Sequence, residues 1–335
     1  MKLAIHHRKG SFSERWVAYC ERKSISYKIV NCYDIDIIEQ LRDCDALLWH
    51  HHHNNYKDAL FAKQLLFSVK KMGVKVFPDF DTNWHFDDKV GQKYLLEAIN
   101  APFIPTYVFY DKNSALQWVE KTTFPKVFKL RGGAGSKNVR LVKSKIEAVN
   151  KVNRAFGKGF SQFDSWENFK EKYKRFKNGK DSFIGLLKGI ARFIIPTEFS
   201  KKHGKEKGYI YFQEFIPNNT YDIRVIVIEN KAFAIKRGVR EGDFRASGSG
   251  NILYDKNEID LETIKISFEV NKYLKTQSVA FDFVKHNEEL LIVEISYCFT
   301  AEPYDFCPGY WDIDLNWYEG KFNPQEWMIE NLINE

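Results

Sequence analysis

Over its first 80 residues the chain alternates short apolar runs with longer amphipathic stretches, a rhythm that few folds accept. Residues 3–6, 27–30, 46–49 and 74–77 read as buried strands, and residues 12–23, 35–42 and 56–72 read as helices between them. Strand–helix alternation of this kind predicts an α/β lobe, a small parallel sheet covered on both faces. Ligands of such sheets sit at the carboxyl ends of the strands. His6, His7 and Arg8 stand at the end of the first strand, and His50, His51, His52, His53 and Asn54 follow the third. Successive histidines on an extended segment point to alternate sides and rarely converge on one zinc ion. They are read as hydrogen-bond donors lining a cleft or as a plain loop. No GxGxxG follows the first strand, which argues against a dinucleotide site.

Further along, residues 89–99 and 114–120 read as helices and residues 106–110 as a strand. Residues 127–130 form a strand that runs directly into RGGAGSKNV. Residues 150–207 have the character of an insertion, and from Tyr209 onward the pattern becomes strongly β. Strands are expected at 209–212, 223–228, 232–237, 280–284 and 290–295. The domain boundaries that follow are 1–87, 88–208 with the insertion 150–207, and 209–335.

Composition narrows the function classes. A hydrophobic fraction of 44% and an aromatic fraction of 16% belong to a packed globular protein. No apolar run approaches the ~20 residues of a membrane helix, and the opening MKLAIHHRKG breaks too early for a signal peptide. The five cysteines are odd in number and free of any CxxC pair, so reduced thiols and a cytoplasmic location are expected. The net charge of +7 is concentrated: residues 151–208 hold 15 Lys+Arg against 6 Asp+Glu. No recognition motif accompanies that patch, so nucleic acid is not an expected partner. Its basic part (166–180) and apolar stretch (183–195) suit either a solvated flap or peripheral docking on an anionic membrane or lipid-linked acceptor.

Four constellations carry chemistry. Lys129 precedes Gly132, Gly133, Gly135 and Ser136, a spacing that lets backbone N–H groups face phosphate while the lysine neutralises it. A turn between strands would use the same glycines, and the P-loop pattern GxxxxGK[ST] is absent. YFQEFIP places Gln213, Glu214 and Ile216 at a strand exit suited to binding adenine edge-on, with Glu214 accepting the exocyclic amine; an ordinary strand exit looks the same. Between Asp222 and Asn251, Arg224, Lys236, Arg237, Arg240 and Arg245 crowd two adjacent strands, with Lys236 on the face opposite Arg237. Such crowding calls for anions, a polyphosphate or a carboxylate, unless the hairpin is merely solvated. Finally, Asp282 and Glu294 sit among apolar residues on two strands joined by a hairpin turn, where Mg²⁺ would satisfy them; structural salt bridges to the arginines are the rival.

With these elements in this order, the chain resembles the ATP-grasp superfamily, and most closely its RimK-type carboxylate–amine ligase branch. The resemblance runs from Asp88 to Ser296 and rests on KVFKLRGGAGSKNV, FQEFI, DIRVIV, IKRGVREGDFRASGSG and the Asp282…Glu294 pair. It implies an N-terminal parallel-sheet lobe, a small central lobe and a C-terminal antiparallel-sheet lobe, with ATP clasped between two antiparallel sheets. Lys89 and Lys129 would contact phosphates, and Gly132, Gly133, Gly135 and Ser136 would form a mobile loop over them. Gln213, Glu214 and Ile216 would hold adenine and Asp222 the ribose, with Lys236 also on the nucleotide. Arg237 and Arg245 would face the transferring phosphate and the carboxylate. Asp282 and Glu294 would hold one or two Mg²⁺ ions. The branch ends its metal motif in Glu-x-Asn, whereas this chain has Ser296, a weaker ligand that leaves the number of metals open. The basic insertion is a second departure. The closing stretch CFTAEPYDFCPGYWDIDLNWYEGKFNPQEWMIENLI is similar to that of ATP-grasp proteins from bacterial surface-polysaccharide gene clusters.

The resemblance implies amide formation through an acyl phosphate, with an amino acid or amine joined to a uronic acid-containing glycan, a peptide or a small metabolite. A homodimer is common among similar proteins. Two rivals stand beside this expectation: an ATP-grasp kinase that stops at phosphorylation, and a nucleotide-binding module without turnover.

Overall fold

The computed structural model describes residues 1–133, 138–161, 204–240 and 242–334. The chain divides into two compact units: one formed by residues 1–53, 57–104 and 216–335, the other by residues 54–56 and 105–215.

The first unit opens with the expected parallel sheet. Strands β1 (Lys2–His6), β2 (Ser26–Val30), β3 (Ala46–Leu48) and β4 (Lys75–Phe77) pair in the order β2-β1-β3-β4, all parallel. The crossovers carry α1 (Phe12–Lys23), α2 (Ile37–Gln40) and α3 (Tyr56–Lys71), with α4 (Phe80–Asn83) and α5 (Lys89–Ala98) following. Side-chain caps set the helix starts: Ser11 accepts from Ser13 N–H ahead of α1, and Asp88 accepts from Gly91 N–H ahead of α5.

The second unit is a four-stranded sheet backed by helices. Strands β5 (Thr106–Phe109), β6 (Lys126–Lys129) and β7 (Arg140–Val142) are joined through α6 (Lys112–Lys121) and followed by α7 (Lys145–Ala155). A two-stranded ladder of β8 (Phe160–Ser161) and β9 (Lys205–Glu206) precedes β10 (Ile210–Glu214), which inserts antiparallel between β5 and β6. One sheet face packs on α6 and α7 through Phe128, Ile210, Phe212, Ala115, Val119, Val152 and Ala155. This corrects the reading of residues from 150 as insertion: Val152, Ala155 and Phe160 belong to the core, and only beyond Ser161 does the chain leave the described residues. The basic 166–180 and apolar 183–195 stretches lie outside them.

Chain tracing then returns to the first unit. Strands β11 (Tyr221–Ile228), β12 (Lys231–Gly238), β13 (Ile252–Leu253), β14 (Val279–His286), β15 (Glu289–Ser296), β16 (Gly309–Asp312) and β17 (Trp317–Glu319) build an antiparallel sheet of order β15-β14-β11-β12-β16-β17, with β13 on β12. Helices α8 (Leu261–Leu274) and α9 (Pro324–Asn334) complete the unit. Alternation along β11 divides its side chains between two cores. Val225 and Val227 join Phe268 and Leu274 of α8, whereas Ile226 and Ile228 join Leu3, Ile5, Trp16 and, from α9, Trp327 and Ile329. The parallel sheet and the antiparallel sheet are therefore welded by one continuous apolar core. Among the described residues no helix is long and apolar enough to cross a membrane.

Candidate active site

On the face that Ile226 and Ile228 share, the register lines up ionised groups further along the strands. Asp222 and Arg224 alternate on β11; Arg237 of β12 lies opposite Asp222, and Asp282 of β14 lies opposite Arg224. Glu294 of β15 lies opposite Asp282 in turn. Arg224 grips Asp282 with two parallel bonds of 2.5 and 2.6 Å. Arg237 grips Asp222 at 2.7 Å twice and reaches Asp282 at 2.9 Å. Two carboxylates thus balance two guanidiniums in bidentate geometry, the form that repays burial best. Burial pushes the Asp282 carboxyl upward, but Arg224 and Arg237 outweigh it and hold the group well below the usual carboxylate range. Asp222, with Arg237 as its one bonded guanidinium, stays raised by burial.

Lys89 opens α5 and places its buried ammonium 3.1 Å from Glu294. Burial alone would drive off that proton; Glu294, with Asp87 and Asp88 close by, more than offsets it and raises the pKa. Ser296, two residues beyond Glu294 on the same face, donates its hydroxyl to the Cys298 carbonyl at 3.0 Å. Asp282, Glu294 and Ser296 are hard oxygen donors of the kind Mg²⁺ takes. Both Asp282 oxygens, however, are held by the two arginines and Glu294 by Lys89, and among the described residues no three His, Cys, Asp or Glu side chains are grouped to hold a metal. The arginines and Lys89 supply the charge balance around those donors.

Not every predicted residue joins this face. Lys236 lies on the opposite one, bonded to Glu258 at 2.7 Å and stacked 4.0 Å over the Tyr221 ring. Arg245 sits in the loop after β12 with its fork on Asp243, at 2.6–3.0 Å. Ile216 follows β10, where its carbonyl accepts from Asn219 at 3.4 Å.

The second unit carries the other candidates. Lys129 is buried at the end of β6, opposite Tyr211, and Gln213 shares that face. The Gln213 amide donates to the Thr106 hydroxyl at 3.2 Å. Glu214 points to the other face, where both its oxygens take the Lys126 ammonium at 2.7 Å. Its side chain is therefore occupied on the helix-backed face, leaving only backbone groups at that position to line Gln213's face. Gly132 and Gly133 follow β6, Gly133 with φ +110°, a conformation that favours glycine. Gly135 and Ser136 lie outside the described residues.

A family model described as the RimK-like ATP-grasp domain matches residues 199–303, the stretch that runs through β10, β11, β12, β14 and β15. Over that stretch the chain is similar to RimK-type ATP-grasp proteins. Alpha-aminoadipate–LysW ligase LysX of Saccharolobus solfataricus is 20% identical over 278 residues, covering 82% of this chain and 84% of that one. Among solved structures, the RimK domain ATP-grasp protein of Sphaerobacter thermophilus superposes with a TM-score of 0.56 at 13% identity, covering 100% of both chains. D-alanine–D-alanine ligase of Bacillus anthracis, complexed with ATP, superposes with a TM-score of 0.55 at 12% identity, covering 91% of each chain. These likenesses establish the ATP-grasp fold, with the parallel sheet in the N-terminal lobe and the antiparallel sheet in the C-terminal one.

The salt-bridge alternative weighed for Asp282 is the arrangement the structure has, with Arg224 as its main partner. Lys126 was missed altogether; only the cross-strand register reveals that it faces Glu214.

Proposed function

We propose that this chain is an ADP-forming carboxylate–amine ligase. The observation that carries the reading is the single sheet face on which Asp222, Arg224, Arg237, Asp282 and Glu294 converge, with the buried Lys89 against Glu294. Polar groups arranged at such cost in a buried sheet face suit a reaction in which negative charge moves. In this reading a substrate carboxylate attacks the γ-phosphate of ATP, giving an acyl phosphate and ADP. An amine then attacks the acyl carbon and expels phosphate, leaving an amide.

Each residue has a stated part. Lys129 neutralises phosphate oxygens, and the glycines that follow it supply backbone N–H donors. Gln213 and the backbone from Glu214 to Ile216 present the adenine-binding edge. Arg237 faces the transferring phosphoryl group, with Arg224 holding Asp282 in position; Arg245 is assigned to the carboxylate substrate. Asp282, Glu294 and Ser296 would hold Mg²⁺, which when bound screens phosphate charge and favours in-line transfer. Lys89, protonated beside Glu294, keeps that carboxylate oriented. The chemistry needs no covalent nucleophile on the protein. LysX and D-alanine–D-alanine ligase, the relatives named above, are ligases, which supports the reaction class. The finer choice of an amino acid or amine joined to a uronic acid-containing glycan belongs to this proposal too.

The test is ADP release from Mg-ATP against a panel of amino acids and uronic acid-containing glycans, with Lys129→Ala as control. Release that requires both a carboxylate and an amine and disappears in Lys129→Ala supports the ligase. Release that requires one substrate and yields its stable phosphate ester identifies a kinase instead.

A further inference from the structure

A second group of polar side chains lies in the first unit at the carboxyl ends of β1 and β3, where α/β sheets bind ligands. The chain leaves β1 at His6 and turns through Gly10, at φ +69°, into α1. The Ser13 hydroxyl fixes the turn, accepting from Arg8 N–H at 2.9 Å and donating to the Arg8 carbonyl at 3.2 Å. Beside it, His50 lies flat on the Phe12 ring, with centroids 3.7 Å apart and planes at 6°. His50 Nδ1 accepts the Phe12 N–H at 3.0 Å.

That bond sets the tautomer. With Nδ1 accepting, a neutral ring carries its proton on Nε2. Burial, reinforced by nearby positive charge that includes Arg8, holds both His50 and His51 well below the ordinary imidazole pKa, so both rings are neutral. The Nε2 atoms of His50 and His51 are buried without any hydrogen-bond partner, in residues only 7% and 2% exposed. Native interiors rarely leave such atoms unpaired. A metal does not answer the need at His50, because its Nε2 holds a proton rather than a lone pair.

Arg8 supplies the charge. Among the described residues its half-buried guanidinium makes no hydrogen bond or ion pair, yet its field reaches His6, His50, His51, Asp58 and Tyr297. Asp58 of α3 does not occupy it, since that carboxylate accepts from the Tyr33 hydroxyl and from His52 N–H at 2.7 Å. Both histidine rings lie against Tyr297, at 6.3 and 4.9 Å between centroids, and the Tyr297 hydroxyl donates to the His51 carbonyl. Tyr297 directly follows Ser296, so this group adjoins the end of β15 that carries Glu294. Cys298, one residue on, feels both Arg224 and Arg8.

We propose that Arg8 and His50 form the recognition site for an anionic oxygen group, a carboxylate or a phosphate, on the substrate that is ligated. A cation is repelled by Arg8 and an apolar group leaves the His50 Nε2–H unpaired; an oxyanion accepts from that N–H and pairs with the guanidinium. This assignment names the substrate class for the ligase reading and rests on it.

The experiment titrates the full chain, without nucleotide, with D-glucuronate, L-glutamate and inorganic phosphate, and with D-glucose as the uncharged control. Calorimetry gives affinity, and the imidazole nitrogen resonances of His50 and His51 report the contact. The expected result is binding of an anionic probe but not of glucose, with the His50 Nε2–H resonance displaced. Arg8→Gln should weaken that binding roughly ten- to a hundredfold, His50→Gln should weaken it too, and both should bind Mg-ATP as wild type does. Binding of glucuronate or glutamate alone assigns a carboxylate, and binding of phosphate alone assigns a phosphate ester. Equal binding by wild type and Arg8→Gln overturns the proposal, as does failure of every anionic probe at up to about 10 mM in a chain that binds Mg-ATP. Arg8-dependent binding in a chain that releases no ADP with any substrate pair would leave this site standing and sink the ligase reading instead.

Discussion

Replacing Asp282 with alanine removes the carboxylate that two arginines share. The wild-type cluster of Asp222, Asp282, Arg224 and Arg237 has no net charge, and its members are 8–22% exposed at the side chain. Alanine deletes the contacts at 2.5, 2.6 and 2.9 Å and leaves the cluster at +1, with Arg224 stripped of its carboxylate. Breaking a buried pair from one side costs about 3–5 kcal/mol, mostly the penalty of the stranded charge. For a folding unit of roughly 150–250 residues each kcal/mol moves the Tm by ~2–4 °C, so a fall of about 6–20 °C is expected. Arg224 is the most exposed member at 22%, and hydration of its freed fork places the result in the lower half of that range. Asp282→Asn keeps an acceptor oxygen and should lose less. Arg224→Met combined with Asp282→Leu removes both charges and should recover much of the loss, without restoring activity. Thermal unfolding followed by circular dichroism reads all three variants. An Asp282→Ala protein whose Tm falls by less than about 2 °C would refute the claim that this cluster is a buried, mutually dependent network.

Other consequences follow from single features of the fold. Trp16 is fully buried where α1 meets the core shared by the two sheets of the first unit, so Trp16→Ala should cost about 3–5 kcal/mol, measured by urea unfolding. Glu214 is held by Lys126 on the helix-backed face, so Glu214→Gln should lower thermal stability while changing Mg-ATP affinity less than about threefold, by calorimetry. Burial lowers His6 to about 4 and His85 to about 3. Between pH ~6.5 and ~4 the unfolded chain therefore binds more protons than the folded one, and stability present above pH 6.5 is lost as pH falls. Each such histidine contributes up to about 1.4 kcal/mol per pH unit, which a Tm series from pH 7.5 to 4.5 would register. A flat series over that interval would contradict the neutral, buried state of these rings.

Periodicity made most of the framework legible in the sequence. The four parallel strands, the helices from 12, 56 and 89, and the hairpins around Arg237 and Asp282 all read from alternation alone. Helix α8 did not, because the surrounding strands dominated the pattern. Its signal was present: Asp260 caps it by accepting from Glu262 N–H, and Ile264, Phe268, Asn271 and Leu274 recur at helical spacing on its buried side. Site chemistry was legible only as residue types. Alternation showed that Lys236 and Arg237 face apart, but register across strands was needed to see Arg224 opposite Asp282 and Lys126 opposite Glu214. The histidines after β3 were read as cleft donors or a loop. The tautomer of His50 depends on a bond from Phe12, distant in sequence and brought near by the turn into α1.

The central claim is that a substrate carboxylate oxygen attacks ATP before the amine enters. The most direct measurement uses the carboxylate substrate identified by the ADP-release panel, labelled with ¹⁸O in its carboxyl group, followed by mass analysis of the phosphate released. The account predicts one ¹⁸O atom in each phosphate formed together with amide. Phosphate free of ¹⁸O, with ADP still produced, would show that water or another oxygen receives the phosphoryl group and would contradict the account.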